Sequence, residues 1–172
     1  TPDDFKYLVD CAHALGITVL LDITHAHSCA NTEQGLSNYD GTPYFFTAKM
    51  NQWGTPTFDF GKEMTRRFLL SNLTYWLEEY NVDGFRFDAV GNMLYKDFGR
   101  DDTFSHTGRC FYGKDGNPRI NEAGELYLAL ANTLVHGLYH DATTIAEEFS
   151  GMPGLTCGPH DGGLGFDARF AM

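Results

Sequence analysis

The sequence predicts an α/β fold, a partial (β/α)8 TIM barrel with about four consecutive parallel strands and long loops. Three observations support this. Amphipathic helices alternate with short apolar runs, long polar and aromatic loops follow those runs, and 172 residues are fewer than the roughly 250 of a complete barrel. We therefore expect residues 1–172 to be the central part of a catalytic barrel, an internal fragment of a longer protein.

The elements can be assigned in order along the chain. The first helix is expected to start at Thr1–Asp4, where an N-cap residue, a proline and two acids suit a helix N-terminus, and Gly16 can end it. The third helix places four leucines on one face, at 126, 130, 134 and 138. The second helix is predicted at 62–80 and the third at 122–138. The strands are predicted at 17–23, 83–90, 143–147 and 166–172.

Composition narrows the class of partner. A hydrophobic fraction of 42% excludes a disordered chain, and a net charge of −11 lacks the basic footprint of nucleic-acid binding. No apolar run approaches the roughly 18 residues of a membrane span, so we expect neither nucleic acid nor membrane as a partner. The scattered cysteines are interpreted as reduced thiols of a cytoplasmic protein, although one disulfide stays open; they are Cys11, Cys29, Cys110 and Cys157.

The segment DGFRFDAV, residues 83–90, combines aromatic residues with two opposite charges. On a strand, Phe85 and Phe87 share one face, and Arg86 and Asp88 share the other. A local ion pair on an exposed strand face is one interpretation. The other is the floor of an active site, in which Arg86 holds an ionised Asp88.

The other strand ends favour the second interpretation. Each of the first three predicted strands ends in ionisable residues, which in a barrel converge on one mouth. Unrelated surface charges would be the alternative, but three consecutive strands share the pattern. The residues are Asp22, His25 and His27 after the first strand, Arg86 and Asp88 on the second, and Glu147 and Glu148 on the third.

Two facing carboxylates suit retaining glycoside chemistry, for which their separation is about 5–6 Å. Asp88 is the better nucleophile because Arg86 would keep it ionised, and Arg86 should contact Asp88 or Asp22. Glu147 is the better acid because the apolar Ile145 beside it favours the protonated form. Glu148 faces the other side of the strand and is the weaker candidate.

The two histidines have the spacing of a strand-borne zinc pair, but no third nitrogen or sulfur ligand lies near them in sequence. We therefore expect no metal and no cofactor. A neutral His27 that donates to a sugar hydroxyl is the favoured role, and His25 is expected to be structural.

Three segments, LLDITHAH, GFRFDAV and IAEE, resemble the first signature segments of the α-amylase superfamily, glycoside hydrolase family 13. Longer segments resemble its group of 1,4-α-glucan branching enzymes: HAHSCANTEQGLSNYDGT, FLLSNLTYWLEEYNVDGFRFDAV, and IAEEFSGMPG with GGLGFDARFAM. The resemblance covers nearly the whole chain. Many amylases carry Asn before the family histidine, near a calcium site, whereas this chain has Ala26, which argues against calcium.

The resemblance implies a role for each matching residue. Asp88 matches the nucleophile and Glu147 the acid/base of the family. Arg86 matches the arginine that positions the nucleophile, and Asp22 the aspartate that supports that arginine. His27 matches the histidine that contacts the sugar at subsite −1.

Tyr39 and Asp40 stand where related enzymes line the cleft. The resemblance also implies a further catalytic aspartate beyond Met172, so the fragment alone is expected to be inactive. The predicted function is a glucan branching transferase acting on amylose, glycogen or starch chains. An amylase-type hydrolase and a non-catalytic glucan-binding module are the alternatives.

Aromatic residues of the two long loops are expected to exclude water from the site, although about half of them could merely anchor the loops. They are Tyr39, Tyr44, Phe45, Trp53, Phe104 and Tyr112.

Overall fold

A computed structural model describes residues 1–98 and 119–171. The helices are α1 (Pro2–Ala14), α2 (Glu63–Tyr80), α3 (Val90–Leu94) and α4 (Glu122–Leu138). The strands are β1 (Leu20–Ile23), β2 (Phe46–Met50), β3 (Pro56–Phe58), β4 (Gly84–Phe87), β5 (Thr143–Glu147) and β6 (Ala168–Phe170).

The main sheet has the order β1-β4-β5-β6, and every neighbouring pair in it is parallel. Asp22 lies opposite Arg86, and Arg86 lies opposite Ile145. The carboxyl ends of β1, β4 and β5 therefore lie side by side, as the sequence predicts. The bounds of β5 match the prediction, while β1, β4 and β6 are shorter than predicted.

The first helix begins as its sequence predicts. The Thr1 hydroxyl accepts from the Asp4 backbone N–H, and the Asp4 carboxylate accepts from the Thr1 hydroxyl and amino group. This reciprocal capping box satisfies donors that the first helical turn would otherwise leave open. Gly16 follows the helix with φ +71°, a left-handed conformation that glycine adopts without strain.

The core lies between the sheet and its helices. Phe85 and Phe87 are fully buried, and α2 contributes Leu69, Leu73 and Leu77 to the same cluster. Each fully buried side chain of this kind contributes about 1.5–3 kcal/mol relative to its exposed state. Burial of both β4 phenylalanines turns Arg86 and Asp88 to the opposite face of the sheet.

The four leucines of α4 share a face, but it is the less buried face of the helix. Leu126 is 48% exposed, whereas Tyr127 and Leu128 are fully buried. Gly124 explains the orientation, because a Cβ there would lie 2.0 Å from the carbonyl oxygen of Met93. Only a face carrying glycine at this position can approach α3 so closely.

The structure contains a hairpin and a short α-helix that were not predicted. The first long loop contains the antiparallel hairpin β2–β3, in which Phe46 pairs with Phe58. The segment after Asp88 forms the short helix α3. Both are too short for a periodic apolar pattern to reveal. Within the described ranges, no helix has the length and apolar character that crossing a membrane requires.

Candidate active site

Arg86 binds three carboxylates at the carboxyl ends of the sheet. Its Nη1 lies 2.5 Å from Oδ2 of Asp22 and 3.1 Å from Oδ1 of Asp88, and its Nη2 lies 3.1 Å from Oε1 of Glu147. The contacts with Asp22 and Asp88 are those expected from the sequence, and the contact with Glu147 is additional. The ring of Phe170, 5.8 Å from the guanidinium carbon, covers the cation from β6.

Glu147 is held by both of its oxygens. While Oε1 contacts Arg86, Oε2 accepts from the backbone N–H of Ala89 at 2.8 Å. Ala89 has φ 51° and ψ 45°, a left-handed conformation that is unfavourable for a residue with a Cβ. The turn after Asp88 thus directs a backbone donor at Glu147, which fixes the position of the carboxylate relative to Asp88.

The pKa of Asp88 differs from the sequence expectation. Burial raises this pKa most, and the hydrogen bond and negative charge of Glu147 raise it further. Arg86 lowers the pKa, but its charge is shared among three carboxylates, so the net direction is upward. Burial and the proximity of Glu147 therefore favour the protonated form of Asp88. Arg86 favours the ionised form of Asp88, as expected, but burial and Glu147 outweigh its effect on the pKa.

A cavity of about 310 Å³ opens above the two carboxylates. Of the residues predicted for the site, Asp88, Glu147 and His27 line it. Arg86 and Asp22 do not line the cavity and connect to it through the carboxylates that Arg86 binds.

Tyr39 and Asp40 are not brought into this cavity. Tyr39 is 85% exposed. The Asp40 carboxylate accepts from the backbone N–H and the hydroxyl of Thr42, at 2.9 and 2.8 Å. These bonds lower the pKa of Asp40 and give its side chain a local role in the turn.

The tautomer of neutral His27 follows from its hydrogen bonds. The Thr55 hydroxyl donates to Oδ1 of Asn51 at 2.8 Å, and the same oxygen accepts from the backbone N–H groups of Trp53 and Thr55. Thr55 has one hydroxyl proton, so its oxygen accepts from Nδ1–H of His27 at 3.0 Å. Neutral His27 then presents an unprotonated Nε2, which is a hydrogen-bond acceptor and not the donor expected from the sequence.

His25 has a structural environment, as expected. It is buried, with Nδ1 2.6 Å from the Tyr127 hydroxyl and Nε2 3.0 Å from Oδ1 of Asn72. Burial lowers its pKa to about 4, so the ring is neutral at physiological pH. Among the residues that the structure describes, no group of three or more His, Cys, Asp or Glu could hold a metal ion.

Glu148 supports the loop that follows β5. The fully buried carboxylate accepts from the backbone N–H groups of Ser150 at 2.6 Å and Met152 at 3.3 Å. Nε of Arg169 lies 3.5 Å from the same carboxylate, and its guanidinium also donates to the Met152 carbonyl. These contacts fix the wall of the cavity next to Glu147.

Several cavity residues were missed from the sequence. They lie on the hairpin, on or near α3, and on the loop after β5: Gln52, Asn92, Tyr95, Phe98, Phe149 and Ser150. One signal in the sequence could have found the residues on α3 and on the loop after β5. Both segments directly follow a strand whose carboxyl end carries a predicted catalytic carboxylate. Of the aromatic residues predicted to wall the site, Trp53 lines the cavity, Phe45 packs on Phe68, and Phe104 and Tyr112 lie outside the described residues.

Solved structures with the same fold include two α-amylases. An α-amylase from Geobacillus thermoleovorans matches 98% of this chain and 34% of its own, with a TM-score of 0.64 and 18% identity. The maltogenic α-amylase AmyB from Thermotoga neapolitana matches 99% of this chain and 32% of its own, with a TM-score of 0.62 and 19% identity. With the parallel sheet, these matches define part of an α/β barrel.

Curated relatives define the family more closely. The 1,4-α-glucan-branching enzymes of Emericella nidulans and Felis catus are each 46% identical, over 99% and 100% of this chain. The 1,4-α-glucan-branching enzyme of Solanum tuberosum is 43% identical over 99% of this chain. The chain belongs to the 1,4-α-glucan-branching enzyme family. It spans about a quarter of the length of the first two relatives and a fifth of the third. No protein-family model matches the sequence.

Proposed function

We propose that the protein is a 1,4-α-glucan branching enzyme and that this chain is a central part of its catalytic barrel. The observation that carries the proposal is the bridge that Arg86 forms between Asp88 and Glu147 below a single cavity. Two carboxylates on neighbouring strand ends supply the nucleophile and the acid that retaining glycosyl transfer needs. The printed names of the relatives support glucan branching as the reaction.

The reaction proceeds in two displacements. Asp88 attacks the anomeric carbon of an α-1,4-linked glucose while Glu147 protonates the departing 4-oxygen, which leaves a covalent glycosyl ester. A 6-hydroxyl of an acceptor glucan then attacks the same carbon and gives its proton to Glu147, and the bond to Asp88 breaks. Two inversions retain the α-configuration.

The scheme assigns different protonation states to the two carboxylates. The first step needs an ionised Asp88 and a protonated Glu147. Arg86 contacts both carboxylates, and the approach of a glycosidic oxygen to Glu147 gives that residue an acceptor for its proton. Asp22 and Phe170 hold the guanidinium in place, and His27 accepts a hydrogen bond from the sugar.

The test uses the full-length protein with amylose as substrate. We expect α-1,6 branch points, counted after isoamylase digestion, to accumulate with little increase in reducing ends, and Asp88→Asn to form none. Reducing ends without branch points would establish an amylase-type hydrolase instead. Retention of amylose with neither product would establish a binding module.

The cytoplasm is the proposed location, on the basis of the cysteines. Cys11, Cys29 and Cys157 are free thiols in the described part of the chain, and two of them are exposed. Exposed free thiols are typical of a reducing compartment. Fractionation of the source cells, with the protein in the cytosolic fraction, is the supporting result, and recovery from the culture medium would contradict it.

A further inference from the structure

The tip of the β2–β3 hairpin is a rigid turn. The backbone N–H of Gly54 donates to the Asn51 carbonyl at 3.1 Å, and Oδ1 of Asn51 accepts three further hydrogen bonds from Trp53 and Thr55. Gly54 has φ +70°, which suits the residue that closes such a turn. Gln52 and Trp53 are thus the two central residues of a turn whose backbone is fixed from inside.

This turn extends over the catalytic carboxylates. Gln52 and Trp53 line the same cavity as Asp88 and Glu147. Nε2 of Gln52 donates to Oδ1 of Asn92 at 3.2 Å, which ties the hairpin to α3. The Oε1 atom of Gln52 makes no hydrogen bond within the described part of the chain, and this leaves it able to accept from a ligand hydroxyl.

Trp53 has an unusual combination of order and exposure. Its ring packs at 41° against His27, with 5.2 Å between ring centroids, yet 56% of the residue is exposed. An indole ring that is held in one position and exposed to water is unfavourable in free energy unless another apolar surface covers it. The flat C–H face of a glucose ring provides such a surface. The hydroxyls at the edge of the same ring can donate hydrogen bonds to the carboxamide oxygen of Gln52.

We propose that Trp53 and Gln52 form a glucose-binding subsite that holds one ring of an α-glucan beside the reacting glycosidic bond. Trp53 stacks on the ring, and Oε1 of Gln52 accepts from one of its hydroxyls. The proposal rests on the proposed function, since it assigns a subsite of the same cavity. The ring belongs to the donor chain or to the acceptor chain, and the experiment separates the two.

The experiment compares variants of the full-length protein on amylose and on α-maltosyl fluoride, a short donor whose leaving group is fluoride. Trp53→Ala is expected to lower kcat/KM for amylose at least about tenfold, mainly through KM, and to change kcat/KM for the fluoride much less. Trp53→Phe should restore most of the loss because it keeps a flat ring. Gln52→Ala, at an exposed position, should raise the KM for amylose without affecting folding. Tyr7→Ala, which removes an exposed aromatic residue on α1, is the matched control.

Branch points and reducing ends counted on each sample identify the chain that is bound. A lower ratio of branches to reducing ends in Trp53→Ala assigns the ring to the acceptor, whereas equal losses of both assign it to the donor. Unchanged kinetics on amylose would overturn the subsite. Equal losses on both substrates that Trp53→Phe does not rescue would overturn it too, since they indicate packing against His27 alone. A wild-type protein that only hydrolyses amylose would refute branching, yet the KM comparison would still test the subsite.

Discussion

Arg86 and Glu147 lie in contact across neighbouring strands, with Nη2 of the arginine 3.1 Å from Oε1 of the glutamate. The same guanidinium holds Asp88 at 3.1 Å through Nη1. One planar cation therefore sets the relative positions of both carboxylates. Arginine suits this task because its donors lie in a fixed plane, whereas a lysine ammonium is a point charge on a flexible stem.

Arg86→Lys should therefore keep the fold and lose most activity. We expect a fall in kcat/KM of about 100-fold or more, because a lysine cannot hold three carboxylates in one geometry. Branch formation on amylose measures the activity, and circular dichroism checks the fold. Arg67→Lys is the control, since Arg67 forms an exposed ion pair with Glu63 on α2. Activity within about twofold of wild type would show that the arginine does not position the pair.

The raised pKa of Asp88 predicts a specific pH profile. With α-maltosyl fluoride, whose leaving group needs no acid, the acidic limb of kcat/KM reports the ionisation of Asp88 in the free enzyme. That limb should lie above the usual range of an aspartate, since burial and Glu147 raise the pKa of Asp88. In Glu147→Gln the neighbouring charge is gone, so the limb should move to lower pH.

Glu79→Gln is the control for this profile, because Glu79 pairs with Lys6 on the protein surface. Its acidic limb should coincide with that of wild type. A limb that stays in place in Glu147→Gln would mean that Glu147 does not raise the pKa of Asp88.

The tautomer of His27 is open to direct measurement. Two-bond ¹H–¹⁵N correlation spectra of the neutral ring should show a protonated Nδ1, because Nδ1–H donates to Thr55. Thr55→Val removes the acceptor and should change the tautomer ratio. Thr47→Val is the matched control on the same hairpin, since Thr47 contacts Thr57 and not His27. A protonated Nε2 in the wild type would contradict the assignment.

The sequence alone predicted the parallel sheet and the positions of Arg86, Asp88 and Glu147 at strand ends. Those features follow from alternation along a strand and from the helix–strand order, which are local properties of the chain. The contact between Trp53 and His27 depends instead on a hairpin too short to show a periodic pattern. The buried face of α4 was equally hidden, because the helix is apolar around much of its circumference and Gly124 selects the face that packs.

The pKa of Asp88 could not have been predicted from spacing either. Its direction depends on how one arginine divides its charge among three partners and on burial, and both are properties of the assembled site. The hydrogen bond from Ala89 to Glu147 likewise depends on the left-handed backbone conformation of Ala89. Nothing in the sequence Ala89–Val90 indicates that conformation.

His25 should make the fold sensitive to mild acid. Its pKa in the folded state, about 4, lies below the ordinary histidine value of 6.5, so the unfolded chain takes up the proton first as pH falls. The free energy of unfolding should therefore decrease between about pH 6.5 and 4, by at most about 3 kcal/mol from this group, and show no further effect of His25 below pH 4.

His25→Asn, which keeps a neutral polar side chain between Asn72 and Tyr127, should flatten the fall of the thermal midpoint over this range, whatever it does to the midpoint at pH 7. His140→Asn, at a fully exposed position, should leave the slope unchanged. Identical slopes for wild type and His25→Asn would show that the ring is protonated without cost, and that the buried site admits charge or water.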